Sequence, residues 1–194
     1  VDVFPGRNDF IKELKKLNPE ITTVIQNINS RDTNVILGEK QRILFGKGYI
    51  NDELCSIKFK ISPKSFYQVN PLQTEKLYSL AIEKANISKN DLVLDAYCGI
   101  GTIGLITSKY AKQVIGVEIV KDAIKDANNN ARINNIDNVE FYCDDAGDFI
   151  MNQFNKGFNY DVVIMDPPRK GSDEKFLSIL LKTLPKRVVY VSCD

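Results

Sequence analysis

Residues 92–104 read Leu92-Val-Leu-Asp-Ala-Tyr-Cys-Gly-Ile-Gly-Thr-Ile-Gly104. An apolar run leads into a glycine-rich turn and then into a second apolar run. Residues 92–97 read as a buried strand, and residues 102–110 as the helix that follows. Gly99, Gly101 and Gly104 have the G-x-G-x-x-G spacing. Such glycines allow a tight turn and close approach of a ligand to the backbone and helix start.

The same rhythm continues on both sides. Strands are expected at residues 113–118, 139–144, 161–166 and 187–192. Helices are expected at residues 122–134, with Ala123, Ala127 and Ala131 on one face, and at 172–184, with Phe176, Ile179, Leu180 and Leu184 inward. Upstream, Asn70-Pro71 is an N-cap followed by proline at the first helical position, opening a helix to about residue 85. Apolar strands alternating with helices predict an α/β fold: a Rossmann-like open parallel sheet with helices on both faces.

The chain divides near residue 61. Residues 1–61 predict a small antiparallel α+β part. Asn8 would cap a helix with Phe10, Ile11, Leu14 and Leu17, stopped at Asn18-Pro19. Strands follow at residues 22–28, 34–37, 42–45 and 55–61. Residues 62–194 form the second, larger part. Through Lys64 there are eleven Lys/Arg against eight Asp/Glu, an excess that reads as a solvated surface.

Composition narrows the function. The 194 residues fit one ordinary domain with an appendage. A formal charge of +1 excludes a strongly basic nucleic-acid clamp. With no histidine, Ser-His-Asp triads, histidine bases and the usual His-built zinc sites are excluded. Cys55, Cys98, Cys143 and Cys193 have no C-x-x-C spacing, so no metal site is expected. Scattered cysteines suggest a reducing compartment. The start Val1-Asp-Val-Phe-Pro5 is no signal peptide, and no run reaches the ~20 apolar residues of a membrane span. A cytoplasmic protein with no membrane partner is the expectation.

In open parallel sheets, ligands bind beyond the carboxyl ends of the strands. Three sites there carry chemistry. The first is Asp95 with its glycine loop, joined by Glu118 at the end of the next strand, where a carboxylate can accept ribose hydroxyls. A dinucleotide or S-adenosylmethionine would fit. Asp95 adds an anion beside the loop, which disfavours a pyrophosphate and suits a cationic amino group. The Gly-to-acid spacing nevertheless fits a dinucleotide too, so a dinucleotide-dependent oxidoreductase stays open. The second site is Asp166-Pro-Pro-Arg-Lys-Gly171, whose prolines stiffen the turn and hold Asp166 at the strand end. Asp166 can bond a planar heterocycle, and Arg169 and Lys170 can meet phosphate. The third is Cys193. If its strand neighbours that of Asp166, the two ends lie about 5 Å apart. Cys193 is then either a nucleophile or a buried structural thiol; Cys55, Cys98 and Cys143 read as structural.

Taken in order, Ser65-Phe-Tyr-Gln-Val-Asn-Pro71, Asp95-Ala-Tyr-Cys-Gly-Ile-Gly101, Gly116-Val-Glu118, Asp166-Pro-Pro-Arg-Lys-Gly171 and Tyr190-Val-Ser-Cys193 resemble one family. It is the S-adenosylmethionine-dependent RNA uracil-C5 methyltransferases, which make 5-methyluridine in ribosomal or transfer RNA. Residues 19–71 also resemble the central domain of its bacterial ribosomal-RNA branch. The resemblance implies strand order 3-2-1-4-5, with residues 1–61 on the RNA side and 62–194 binding cofactor. It implies that Gln68, Tyr97, Glu118 and Asp166 contact S-adenosylmethionine, with Thr102 and Asp145 as further contacts. Cys193 is implied as the nucleophile adding to uracil C6. Family members continue past this point with an Asn-Pro turn, two strands and a basic Glu. The chain is therefore expected to be an internal fragment that binds cofactor without turnover. A catalytically silent RNA-binding fragment is the remaining alternative.

Overall fold

The computed structural model describes residues 3–31 and 36–192. Five strands form the parallel sheet: β5 (Leu92–Ala96), β6 (Gln113–Glu118), β7 (Val139–Cys143), β8 (Val162–Met165) and β9 (Arg187–Tyr190). Their order is β7-β6-β5-β8-β9, which is 3-2-1-4-5. The order reverses between β5 and β8, so the crevice opens beyond Ala96 and Met165.

Alternation along the strands assigns the two faces. Val93, Val114, Val162 and Ile164 point into one buried cluster; Leu94, Ala96, Ile115, Val117, Val163 and Met165 point into another. The first cluster takes Tyr78 and Ala85 from α2 (Pro71–Ala85), residues of α3 (Thr102–Thr107), and Ala123 and Ala131 from α4 (Lys121–Ile133). The second packs on α5 (Ala146–Asn155) and α6 (Glu174–Thr183). The expected Asn70–Pro71 start of α2 is present, and the Asn70 side chain accepts from Gln73 N–H at 3.3 Å.

The N-terminal region departs from expectation. Instead of one sheet there are two hairpins: β1 (Thr23–Ile28) with β2 (Lys40–Gly46), and β3 (Ile50–Leu54) with β4 (Ile57–Ile61). The polar run of β3 hid it as a strand. Of the expected strand at 34–37, Ile36 and Leu37 lie outside any strand, and the rest lies outside the described residues. The first helix, α1 (Arg7–Leu17), is capped by Gly6 rather than Asn8 and buries none of its residues.

Hairpin β3–β4 joins the main core. Leu54, Ile57, Phe59 and Ile61 share the first cluster with the sheet. The joint is polar as well. Asp126 and Asn130 on α4 and its C-cap Asn134 stand four residues apart, about 6 Å per step. Alternate residues of a strand are spaced about 6.8 Å, a near match. Asn134 Oδ1 accepts from Lys58 N–H (2.9 Å), Asn130 Oδ1 from Lys60 N–H (2.8 Å), and Asp126 Oδ2 from Ser62 N–H (3.0 Å). One helix face thus satisfies the outer edge of β4, whose other edge pairs with β3.

Elsewhere α5 is a helix the sequence reading did not place. Leu184, expected inward, is the C-cap of α6 and 75% exposed. The α3 helix stops at Thr107, three residues short of expectation. Cys98 is buried, but Cys143 is exposed and Cys55 only half-buried, so the structural-thiol reading holds fully only for Cys98.

Candidate functional site

The crevice beyond β5 and β8 gathers most of the expected site residues. Asp95 sits next to last in β5 and is 1% exposed. Gly104 N–H donates to its Oδ2 at 2.7 Å, while its Oδ1 is buried with no hydrogen-bond partner. Burial pushes the carboxyl up to about 8; the Gly104 N–H opposes this, and the nearby Asp166 and Glu118 add to it. An amide that a pyrophosphate would use is therefore already taken by an acid, which disfavours the dinucleotide reading.

The chain then turns sharply. Tyr97 holds a φ of +65°, a left-handed conformation that costs a bulky residue of order 1–3 kcal/mol. Its ring packs against Phe176 at 5.9 Å. The hydroxyls of Tyr97 and Ser172 are both buried and lie close to each other. Gly99, at φ +56°, has open space where a side chain would stand. Gly101 is the N-cap of α3 at φ +81°, and a Cβ there would lie 2.6 Å from the Phe141 ring. Gly99 thus leaves room for a ligand against the backbone, and Gly101 lets the loop pack on β7.

Glu118 ends β6 and is fixed by the loop it faces. Gly99 N–H donates to Oε2 (3.2 Å) and Val120 N–H to Oε1 (2.9 Å). Each oxygen keeps a second lone pair for a ligand hydroxyl. Asp166 follows β8 and is half-buried, and burial raises its pKa from the ordinary aspartate value. Among the described residues no ion pair joins Asp95, Glu118 or Asp166.

Tyr78 of α2, which sequence reasoning missed, reaches the same place. It is 2% exposed, and its phenol is pushed up to about 12, first by burial. Its polar neighbours are Thr102, Gln68, Asp166 and Asp95. The loop between β4 and α2 therefore brings Gln68 to the mouth that Asp95, Thr102 and Asp166 line. In sequence Tyr78 is one apolar position of a helix, with no signal of where it points.

Asp145 lies at the far side as the N-cap of α5. Its Oδ1 accepts from Gly147 N–H (2.9 Å) and Asp148 N–H (3.1 Å). One oxygen is committed to the helix start. Cys193 lies outside the described residues. Its strand does neighbour that of Asp166: β8 and β9 are parallel partners, and Val191 N–H donates to the Met165 carbonyl at 2.9 Å.

A glycine turn, a clamped strand-end acid and two further acids with no ion pair among the described residues can hold a ligand that has vicinal hydroxyls and a positive charge. Comparison with known proteins agrees. The family model for tRNA (uracil-5-)-methyltransferase matches residues 10–194. An uncharacterized RNA methyltransferase of Oceanobacillus iheyensis is 48% identical over 191 residues, covering 98% of this chain and 42% of the relative. One from Staphylococcus epidermidis is 50% identical over 184 residues, covering 95% of this chain and 40% of the relative. The chain thus spans about two fifths of the length of these curated relatives. Among solved structures, the Pyrococcus abyssi tRNA (uracil-54, C5)-methyltransferase in complex with S-adenosyl-L-homocysteine superposes with a TM-score of 0.73 at 28% identity. That match covers 93% of this chain and 43% of the other. A methyltransferase of Agrobacterium tumefaciens, at 19% identity and TM-score 0.64, shares the fold.

Proposed function

The chain belongs to the tRNA (uracil-5-)-methyltransferase family, and from that premise we propose that it forms the S-adenosylmethionine-binding core of an enzyme that methylates uracil C5 in RNA. The observation that carries this reading is the set of acids Asp95, Glu118 and Asp166 around the glycine loop, none of them in an ion pair among the described residues. When bound, S-adenosylmethionine supplies an electrophilic methyl group on a sulfonium.

The chain's own residues fit such a ligand. Glu118, held by two backbone amides, would accept the ribose hydroxyls. Asp166 offers negative charge to a cationic ligand, and so does Asp95 once such a ligand draws off its proton, which leaves the orphan Oδ1 as a buried acceptor. Gly99 leaves the backbone open to close approach. Gln68 and Thr102 border the same mouth, Tyr97 directly follows β5 with its ring on Phe176, and Asp145 keeps one oxygen free.

Cys193 is proposed as the nucleophile. Its thiolate would add to C6 of uracil and raise electron density at C5, the carbon to be methylated. A base would then take the C5 proton, and elimination would free the thiol. Residues 1–61 are assigned to the RNA side and 62–194 to the cofactor side. Ribosomal RNA is the favoured substrate, on the likeness of residues 19–71 to that branch. For the 194-residue chain alone, the proposal is cofactor binding without sustained turnover. Tritiated S-adenosylmethionine tests the activity in the whole protein: label at uracil C5 of RNA, lost in Cys193→Ala, is expected. Label elsewhere, or label that persists without the thiol, would contradict it.

A further inference from the structure

The loop between β4 and α2 carries Gln68 and belongs to no sheet. What fixes it is α4. Asp126, 6% exposed, accepts three hydrogen bonds from that loop's first turn. Ser62 N–H donates to Oδ2 at 3.0 Å, Ser62 Oγ to Oδ1 at 2.9 Å, and Ser65 Oγ to Oδ2 at 2.8 Å. A near-buried carboxylate with three donors is a strong tether, because hydrogen bonds to a carboxylate are stronger than those between neutral groups. Its neighbour one turn on, Asn130, is 0% exposed and faces two ways. It accepts from Lys60 N–H and donates through Nδ2 to the carbonyl of Ile100, inside the glycine loop, at 3.3 Å.

The two walls of the crevice therefore meet on one helix face. The Gln68 wall hangs on Asp126, and the glycine-loop wall on Asn130. The α4 helix itself begins two residues after Ile119, directly downstream of Glu118. None of these polar side chains has a place among the acids that line the crevice. We propose that Asp126 is a positioning residue for the cofactor site, holding Gln68 at a fixed distance from the glycine loop by tethering Ser62 and Ser65. The proposal rests on the reading of Gln68 as a cofactor contact.

The ladder supplies its own control. Asn134 makes the same kind of bond to the same strand, but at Lys58, away from the Gln68 loop. Calorimetric titration with S-adenosylhomocysteine compares Asp126→Ala, Ser65→Ala, Asn134→Ala, Gln68→Ala and the Asp126→Ala/Gln68→Ala double variant. Asp126→Ala should weaken binding about tenfold, the scale expected when a contact is misplaced rather than removed. Ser65→Ala, which perturbs the fold least, should weaken binding about threefold, since it removes one of the three bonds. Asn134→Ala should change affinity less than about twofold, even where it lowers the melting midpoint as much. In the Gln68→Ala background, removing Asp126 should add less than about twofold.

Hydrogen exchange reads the tether without ligand. Faster exchange confined to residues 62–69 is expected in Asp126→Ala and Ser65→Ala, and absent in Asn134→Ala. Independent effects of Asp126 and Gln68, or equal loss of affinity in Asp126→Ala and Asn134→Ala, would overturn the positioning role while leaving Gln68 a contact. Unchanged binding in Gln68→Ala would overturn the reading of Gln68, and the proposal with it. Unaltered exchange at residues 62–69 in Asp126→Ala would overturn the tether itself.

Discussion

The two ends of the parallel sheet carry similar acids in opposite electrostatic states. At the amino end, Asp91 and Asp161 share Lys186, whose Nζ lies 3.2 Å from one and 2.9 Å from the other. Ser88 N–H donates to Asp91 and Leu92 N–H to Asp161, both at 2.8 Å. These amides first, with Lys186 beside them, lower both pKa values. Arg187 completes the cluster, donating to the Ala85 and Asn86 carbonyls at the end of α2. At the carboxyl end, Asp95 and Asp166 are both raised by burial, and no ion pair meets them among the described residues. The difference separates stability from function. Acids matched by cations staple β5, β8, β9 and α2 together. Acids left unmatched cost stability, as the proposed site for a positive ligand requires.

The sharpest way to break that contrast is Asp95→Asn. The folded pKa of Asp95, about 8, lies above the unfolded value of roughly 4. The folded chain holds the proton more tightly, so stability should fall as pH rises through that window, by up to about 1.4 kcal/mol per pH unit. Urea unfolding from pH 5 to 8 should show this slope in the native chain and lose it in the variant. The variant should be the more stable of the two at pH 8 and the weaker binder of S-adenosylmethionine. A variant less stable at pH 8 would contradict the account.

Next in size is Glu118→Ala. Losing two charge-assisted hydrogen bonds should weaken S-adenosylhomocysteine binding by about 100-fold or more. Smaller is Asp91→Ala at the opposite end, which should cost about 2 kcal/mol in unfolding free energy and leave affinity unchanged. The depressed pKa values of Asp91 and Asp161 add stability above the unfolded value of roughly 4, lost as pH falls through the folded ones. The native chain should therefore become acid-labile there, and Asp91→Ala less steeply so. Smallest is Lys186→Ala. This cation is 60% exposed, so its effect on the thermal midpoint should be modest at low salt. It should shrink further in roughly 1 M salt, where charges are screened within ~3 Å.

Much of the sheet was legible because strands buried on both faces are apolar throughout. Leu92, Val93 and Leu94 end in Asp95, and Val162 to Met165 end in Asp166. A charge directly after such a run must lie at the sheet's mouth. The α5 helix was missed because its start signal was spent on another reading. Asp145 caps the helix, while Phe149 and Ile150 supply its buried face. The ladder of Asp126, Asn130 and Asn134 was visible as a four-residue spacing, but it lies beside Ala123, Ala127 and Ala131, which already explained the helix. Polar residues at that spacing look solvated until the strand edge they satisfy is placed. Likewise α1 has the apolar period of a packed helix, yet Phe10 and Leu17 stay exposed. Periodicity states which residues share a face and leaves open what that face meets.

The most direct test of the contrast is one calorimetric series with S-adenosylhomocysteine and NADH, run on the native chain, Glu118→Ala and Asp91→Ala. The account predicts that the native chain and Asp91→Ala bind S-adenosylhomocysteine alike, that Glu118→Ala does not, and that NADH binds none of them. Equal binding by Glu118→Ala, or saturable binding of NADH, would contradict it.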